Sequence, residues 1–405
     1  MPRSGTADLT LHGGHVPPWL LNRMKELALP MVEAIILEHG KSGFVERMAH
    51  PFWFQSFGTV IGMDWNSSGV TTTVMNVLKQ VVTPVSRQLG IYVCGGKGKH
   101  SLKTPQELIK VGMQTGLDGN ALAKASKLSA KVDNTALQDG FQLYIHNFLV
   151  TDEGDWCVVQ QGMNNKNGKA RRYHWHSGTV TNFVKEPHAA VCGEHQGKIL
   201  NLVHKEAENT QNSILEITKE DPDKLAKELP HLIVPSYHTI ASKDVDLKRM
   251  GSILWLAQEN ETQKFEELLL LKGLGPRTLQ SLTLVSEVIY GTPSRFSDPA
   301  RFAFAHGGKD ATPFPVPTKI YDETIISMKS AVEKAKIGRT DKLKAIQKLT
   351  EMSQKAEKNF VPNQNFEALV QKENDNAYKY GGRSVFGYEK PPRGKQLNLF
   401  EDHSD

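Results

Sequence analysis

A chain of 405 residues, 39% hydrophobic and 23% charged with a formal net charge of +5, is long enough for two or three domains and a sizeable core. No apolar run approaches the roughly 20 residues of a membrane span, so no membrane partner is expected. Three cysteines (Cys94, Cys157 and Cys192) with no CxxC pair argue against a zinc finger or disulfide framework. With no signal-peptide core at the N-terminus, a reducing cytoplasm is expected.

In chain order, Pro17-Pro18 opens an amphipathic helix over Trp19–His39, a shorter one is expected over Phe44–Phe54, and Gly69–Gly90 is helical again. A short apolar strand, Ile91–Cys94, leads through Gly95–Lys99 into a helix starting at Thr104-Pro105. Phe141–Val150 and Trp156–Gln161 are β-prone runs joined by Thr151-Asp152-Glu153-Gly154-Asp155, a hairpin signal. From about Lys198 the period becomes helical, over 198–229 and 244–290, with a proline-rich connection at 293–318 and a Lys-rich helix at 320–357. No internal repeat is present. The expected class is α+β: a mixed α/β domain over 1–197 for catalysis or recognition, a helical domain over 198–360, and a flexible tail over 361–405.

Basic charge is concentrated late in the chain, in Lys319–Lys358 and in Lys390, Arg393 and Lys395. It suits a polyanion, and equally a solvated helix face. The most specific motif lies at 265–290, "FEELLLLKGLGPRTLQSLTLVSEVIY". Two apolar helices flank Lys272, Gly273, Leu274, Gly275, Pro276, Arg277 and Thr278, the pattern of a helix-hairpin-helix DNA-binding element. Glycines free the turn and let the backbone approach a phosphate, and the second helix offers its N-terminal amides to that anion. Lys272 and Arg277 add charge, and Leu274 plugs the turn. A plain αα-hairpin is the bland alternative. Such contacts ignore base sequence.

A protein that grips DNA without choosing a site needs another means of placement. The tail Gln396, Leu397, Asn398, Leu399 and Phe400 resembles the pentapeptide by which bacterial polymerases and repair proteins bind the sliding clamp. The resemblance implies that Gln396 bonds at the edge of a groove and that Leu399 and Phe400 fill it.

Further blocks carry a family resemblance: "TADLTLHGGHVPPWL" from Thr6, "PFWFQSFGTVIGMDWNSSGV" from Pro51, "GIYVCGGKGK" from Gly90, "LSAKVDNTALQDG" from Leu128, "VVQQGMN" from Val158, "ARRYHW" from Ala170, "EPHAAVCGEHQG" from Glu186 and "FAHGGKD" from Phe304. Together they resemble a prokaryotic family catalogued as a domain of unknown function, DUF763, over roughly residues 1–335. The resemblance implies a shared fold and brings no activity.

Candidate chemistry is less specific. Lys131, Asp133 and Asp139 precede the hairpin and Gln161 ends its second strand, an order similar to that of metal-dependent nucleases of the restriction type. Asp133 and Asp139 would hold Mg²⁺ or Mn²⁺ to polarise a scissile phosphate, with His174 completing the set. The lysine expected two residues after Gln161 is Met163, and a polar-edged hairpin is the alternative. Arg171, Arg172, Tyr173, His174, Trp175 and His176 mix cations and rings, which suits phosphate contact with base stacking, or a strand with alternating faces. Lys97 and Lys99 are further phosphate candidates, although their glycine-rich loop lacks the Walker ending. His12 and His15, and His188, Cys192, Glu194 and His195, are ligand types without metal-specific spacing. A rival enzyme reading is a helix-hairpin-helix DNA glycosylase. Arg277 stands where such enzymes carry a catalytic lysine, and it stays protonated. A monofunctional enzyme needs only a downstream aspartate, for which Asp298, Asp310 and Asp322 are available. Pro315-Val316-Pro317 departs from the Pro-Val-Asp turn that often bears it. A third reading is a non-catalytic adaptor between DNA and clamp.

Overall fold

A computed structural model describes residues 9–10, 16, 18–63, 69–166, 168–221, 247–300, 318–336, 338–359, 383–384 and 387–388. The clamp-like tail 396–400, the pair His12 and His15, Asp310 and Pro315–Pro317 lie outside these residues.

After β1 (Leu9–Thr10) comes α1 (Pro18–Ala49), which kinks at Gly40, where φ is 74°. The kink marks the boundary expected near His39. The next boundary differs from the sequence pattern. Pro51 cannot sit inside a helix without breaking its hydrogen bonds, so the run Phe44–Phe54 is divided and α2 (Pro51–Ile61) begins with that proline in its first turn. Nearly all of α2 is buried. Next come α3 (Gly69–Val82), α4 (Ser86–Leu89), β2 (Ile91–Lys97), α5 (Thr104–Thr115) and α6 (Gly119–Lys131), whose start is capped by Asp118. They lead into β3 (Leu137–Gln138), β4 (Gln142–Thr151), β5 (Trp156–Asn164), β6 (Lys169–His176), β7 (Ala190–Cys192) and β8 (Leu200–Asn201).

The helical part consists of α7 (Glu208–Ile217), α8 (Leu247–Glu259), α9 (Phe265–Leu270), α10 (Pro276–Tyr290), α11 (Thr318–Lys334) and α12 (Arg339–Asn359). The segment read as helix from 198 opens instead with β8, because Leu200 and Asn201 pair with Gln138 and Leu137. The long helix expected at 320–357 is two helices, broken around Gly338. β9 (Arg383–Ser384) and β10 (Gly387–Tyr388) pair with each other.

The main sheet is antiparallel in the order β1-β6-β5-β4-β2, with β7 also on β6. Both faces are covered. On one, α1, α2 and α3 form a core with α11 and α12 through Met24, Phe54, Phe57, Leu78, Met328 and Leu349. On the other, α5 and α6 join α7–α10 through Leu108, Phe148, Trp175, Leu254, Leu268 and Leu282. Both cores therefore cross the boundary expected at residue 197. The fold class is α+β, with the sheet as the inner layer.

Candidate functional site

The turn between α9 and α10 has a specific backbone. Gly273 has φ of 90°, a conformation that side chains with a Cβ resist. Leu274 is 2% exposed and inserts into the core with Leu268, Leu271 and Leu279. Gly275 differs from the sequence argument: at φ −126° and ψ 176° it is ordinary extended backbone. Its role is spatial, since a Cβ there would meet nothing within 4 Å and would stand in the path of an approaching group. No side chain caps α10 and Pro276 carries no N–H, so the amides of Arg277 and Thr278 are the ones that lack a helix partner. Lys272 and Arg277 are exposed, whereas Thr278 is buried. Thr278 is therefore part of the packing and contributes its backbone alone.

The turn is held from behind. Lys131 Nζ donates to the Leu274 carbonyl at 2.8 Å and Gln138 Nε2 to that of Pro276 at 2.9 Å. Burial lowers the pKa of Lys131. Sequence reasoning missed Gln138 in this role, because the contact depends on bringing β3 against a helix start 138 residues later.

The five nuclease candidates do not converge. Asp133, Asp139 and Lys131 lie on the α6 side of the sheet, while Gln161 and His174 project to the α2–α3 side. Asp133 is fully buried and accepts bonds from Trp175 Nε1 at 2.9 Å, from Gln160 Nε2 and from His188 Nε2. Asp139 accepts from Tyr173 at 2.6 Å, from Arg171 at 3.0 Å and from the Phe141 amide at 3.0 Å. Burial pushes its pKa up to about 6 against the opposing pull of Arg171. These carboxylates already have the donors a buried anion requires, which leaves no paired face for Mg²⁺ or Mn²⁺. Gln161 accepts from Thr71 at 2.5 Å and donates to Tyr144 at 2.5 Å. His174 accepts from Arg172 Nε at 2.9 Å, and burial with that cation beside it holds its pKa well below the usual value. Its Nε2 lone pair is thereby engaged inside the fold.

The run Arg171–Trp175 is the strand with alternating faces. Arg171 and Arg172 are both fully buried, so neither presents its guanidinium to a DNA backbone. Arg171 bridges Asp139 and Asp298, the latter at 3.0 and 2.7 Å through two nitrogens, and lies 4.8 Å from the Phe141 ring. Burial would raise the pKa of Asp298, but Arg171 together with the Gln196 and Ala300 amides offsets this and leaves it lowered. Arg172 turns the other way, onto Gln55 at 3.1 Å and the Phe54 ring at 4.7 Å. The cation–ring mixture is thus consumed inside the protein.

Of the ligand-type residues, His188 bonds Asp133, Glu194 pairs with Lys169, Cys192 is buried and His195 is exposed. Among the described residues no group of three or more His, Cys, Asp or Glu is placed to hold a metal. Lys97 and Lys99 are exposed at the end of β2 and in the turn after it, Lys97 5.9 Å from the Tyr144 ring centre.

The site is thus an uncapped helix start behind a glycine turn, with two exposed cations. The chain belongs to the family described as "Protein of unknown function (DUF763)", which matches residues 5–316 and so includes the sheet and this turn. No curated protein and no solved structure matches the chain. Among the described residues no helix is long and apolar enough to cross a membrane.

Proposed function

We propose that the protein binds the DNA backbone through the α9–α10 turn and acts in DNA repair or processing, with the tail Gln396–Phe400 as its attachment to a sliding clamp. The observation that carries this reading is the open backbone at Gly275 beside the uncapped α10 start, flanked by exposed Lys272 and Arg277. An anion there meets unpaired amides, the positive end of the helix dipole and two cations. Duplex DNA of unrelated sequences should bind with similar affinity, and the affinity should fall steeply with salt. Arg277→Glu, at an exposed position, should weaken all of them alike. Equal binding by wild type and Arg277→Glu across salt concentrations would leave the turn a packing element.

For chemistry on the bound DNA, the buried, fully bonded carboxylates favour a non-catalytic adaptor over a nuclease. Base excision keeps one supporting observation. Asp298 comes after α10 in the chain and shares Arg171 with Asp139, the neighbour in sequence of the Gln138 that holds the turn. Arg171 engages both of its carboxylate oxygens, so excision would require that pair to open. Release of a free base from damaged duplex, lost in Asp298→Asn, would establish the excision reading. Metal-dependent strand cleavage would revive the nuclease.

A further inference from the structure

We infer that the turn is one end of a broader duplex-DNA surface, which continues over α6 and the loop Lys97–Lys103; this inference rests on the reading of the turn as a DNA contact. Between Lys97 and Lys131 the chain has seven lysines against two acids, Glu107 and Asp118. That surplus of five equals the net charge of the whole chain. Both acids are already engaged. Glu107 is held by Lys79 and the Gly95 amide, both at 2.8 Å, and Asp118 caps the far end of α6 through the Asn120 and Ala121 amides at 2.9 Å.

The lysines are also spatially ordered. Lys124, Lys127 and Lys131 are spaced by three and four residues and so share one face of α6. Lys124 and Lys127 are exposed, Lys124 with Glu267 nearby, and Lys131 reaches the turn itself. α5 and α6 are packed neighbours, with Gly119 against Leu108 and Ile109, and the middle of α6 lies near the start of the loop before α5. The loop before α5 exposes Lys97, Lys99, His100 and Lys103 there. Ser126 bonds His146 at 2.8 Å, and His146 pairs with Gly96 at the start of that loop. From α9 through α6 to α5 is two helix-packing distances, roughly 16–20 Å. That path is of the same order as groove widths of about 6 and 12 Å, so a single duplex is the matching occupant.

The test is binding of the full chain to a short labelled DNA duplex between about 50 and 200 mM salt. In the variant Lys97→Gln, Lys99→Gln, Lys103→Gln, Lys127→Gln the slope of log affinity against log salt should fall by about 3–4, near 0.9 per lost phosphate contact. All four positions are exposed, so an unchanged circular-dichroism spectrum and melting curve are expected alongside. An unchanged slope, in a protein whose binding Gly275→Val still weakens, would overturn this inference and spare the turn. Failure of wild type to bind DNA would overturn both. Equal affinity and slope for duplex RNA would overturn the assignment to DNA.

Discussion

Asp133→Ala is the perturbation on which catalytic and structural roles differ most clearly. Asp133 is fully buried and is the acceptor for three donors, Trp175 Nε1, Gln160 Nε2 and His188 Nε2. Gln160 keeps a second acceptor, the Ser129 carbonyl at 3.0 Å, whereas the Trp175 indole loses its acceptor in Asp133. At about 1–3 kcal/mol for each buried donor left unmade, with partial relaxation, the loss is about 4 kcal/mol. That is a large share of a typical stability of about 5–15 kcal/mol. Asp133→Asn should cost far less. Its oxygen can face Trp175 and Gln160 while its amide donates to the other tautomer of His188. Urea denaturation measures both, with the midpoint of Asp133→Ala lowered by more than about 1 M and that of Asp133→Asn close to wild type. If Asp133→Ala unfolds at the wild-type midpoint, the reasoning is wrong. If Asp133→Asn abolishes a DNA cleavage activity while keeping its midpoint, the carboxylate is chemical after all.

Three further outcomes are expected. Gly273→Ala forces a Cβ into φ 90° and should lower the melting temperature by an amount equivalent to about 1–2 kcal/mol, whereas Gly275→Ala should leave it unchanged and weaken DNA binding in a gel-shift titration. Burial lowers the pKa of His50 to about 4. As its folded value lies below the unfolded one, its contribution is complete above about 6.5 and is lost as pH falls toward 4. His50→Gln should therefore show a shallower acid-side loss than wild type in denaturant titrations at successive pH values. Leu399→Ala with Phe400→Ala should abolish clamp binding in surface plasmon resonance and leave free-DNA affinity intact; retained clamp binding would remove the tail from the proposal.

Local signals carried much of the fold. The glycines and proline of the α9–α10 turn, the strands on either side of Thr151–Asp155 and the helix at Thr104-Pro105 are all set by neighbours within a few residues. The two-sided burial of the sheet was not legible. β6 reads as polar, "KARRYHWH", yet it is buried, because Arg171 is neutralised by Asp139 and Asp298, 32 and 127 residues away, and Arg172 is held by Gln55. A carboxylate, an amide and an imidazole close in sequence therefore looked like one metal centre. The alternation of strand side chains sent Gln160 and Gln161 to opposite faces. Helix α6 buries Ala123, Ala125, Ser126 and Ser129, residue types that do not by themselves mark a core face, so its lysine stripe stayed hidden.

The residues read as a nuclease centre also bear on the proposed DNA contact, because they form the footing of the turn. Lys131 and Gln138 fix the carbonyls of Leu274 and Pro276, and Asp133 and Asp139 lie next to them in the chain, each pinned by the sheet. Arg171 adds a tie from the sheet to Asp298, beyond α10. Backbone contact with a phosphate demands that amides stand still, since a turn that must be ordered on binding forfeits affinity. A buried ion-pair cluster is a poor source of net stability, but removing one member leaves uncompensated charge and a displaced backbone. On the proposed reading, the costly polar interior of this sheet serves positional precision at a surface turn.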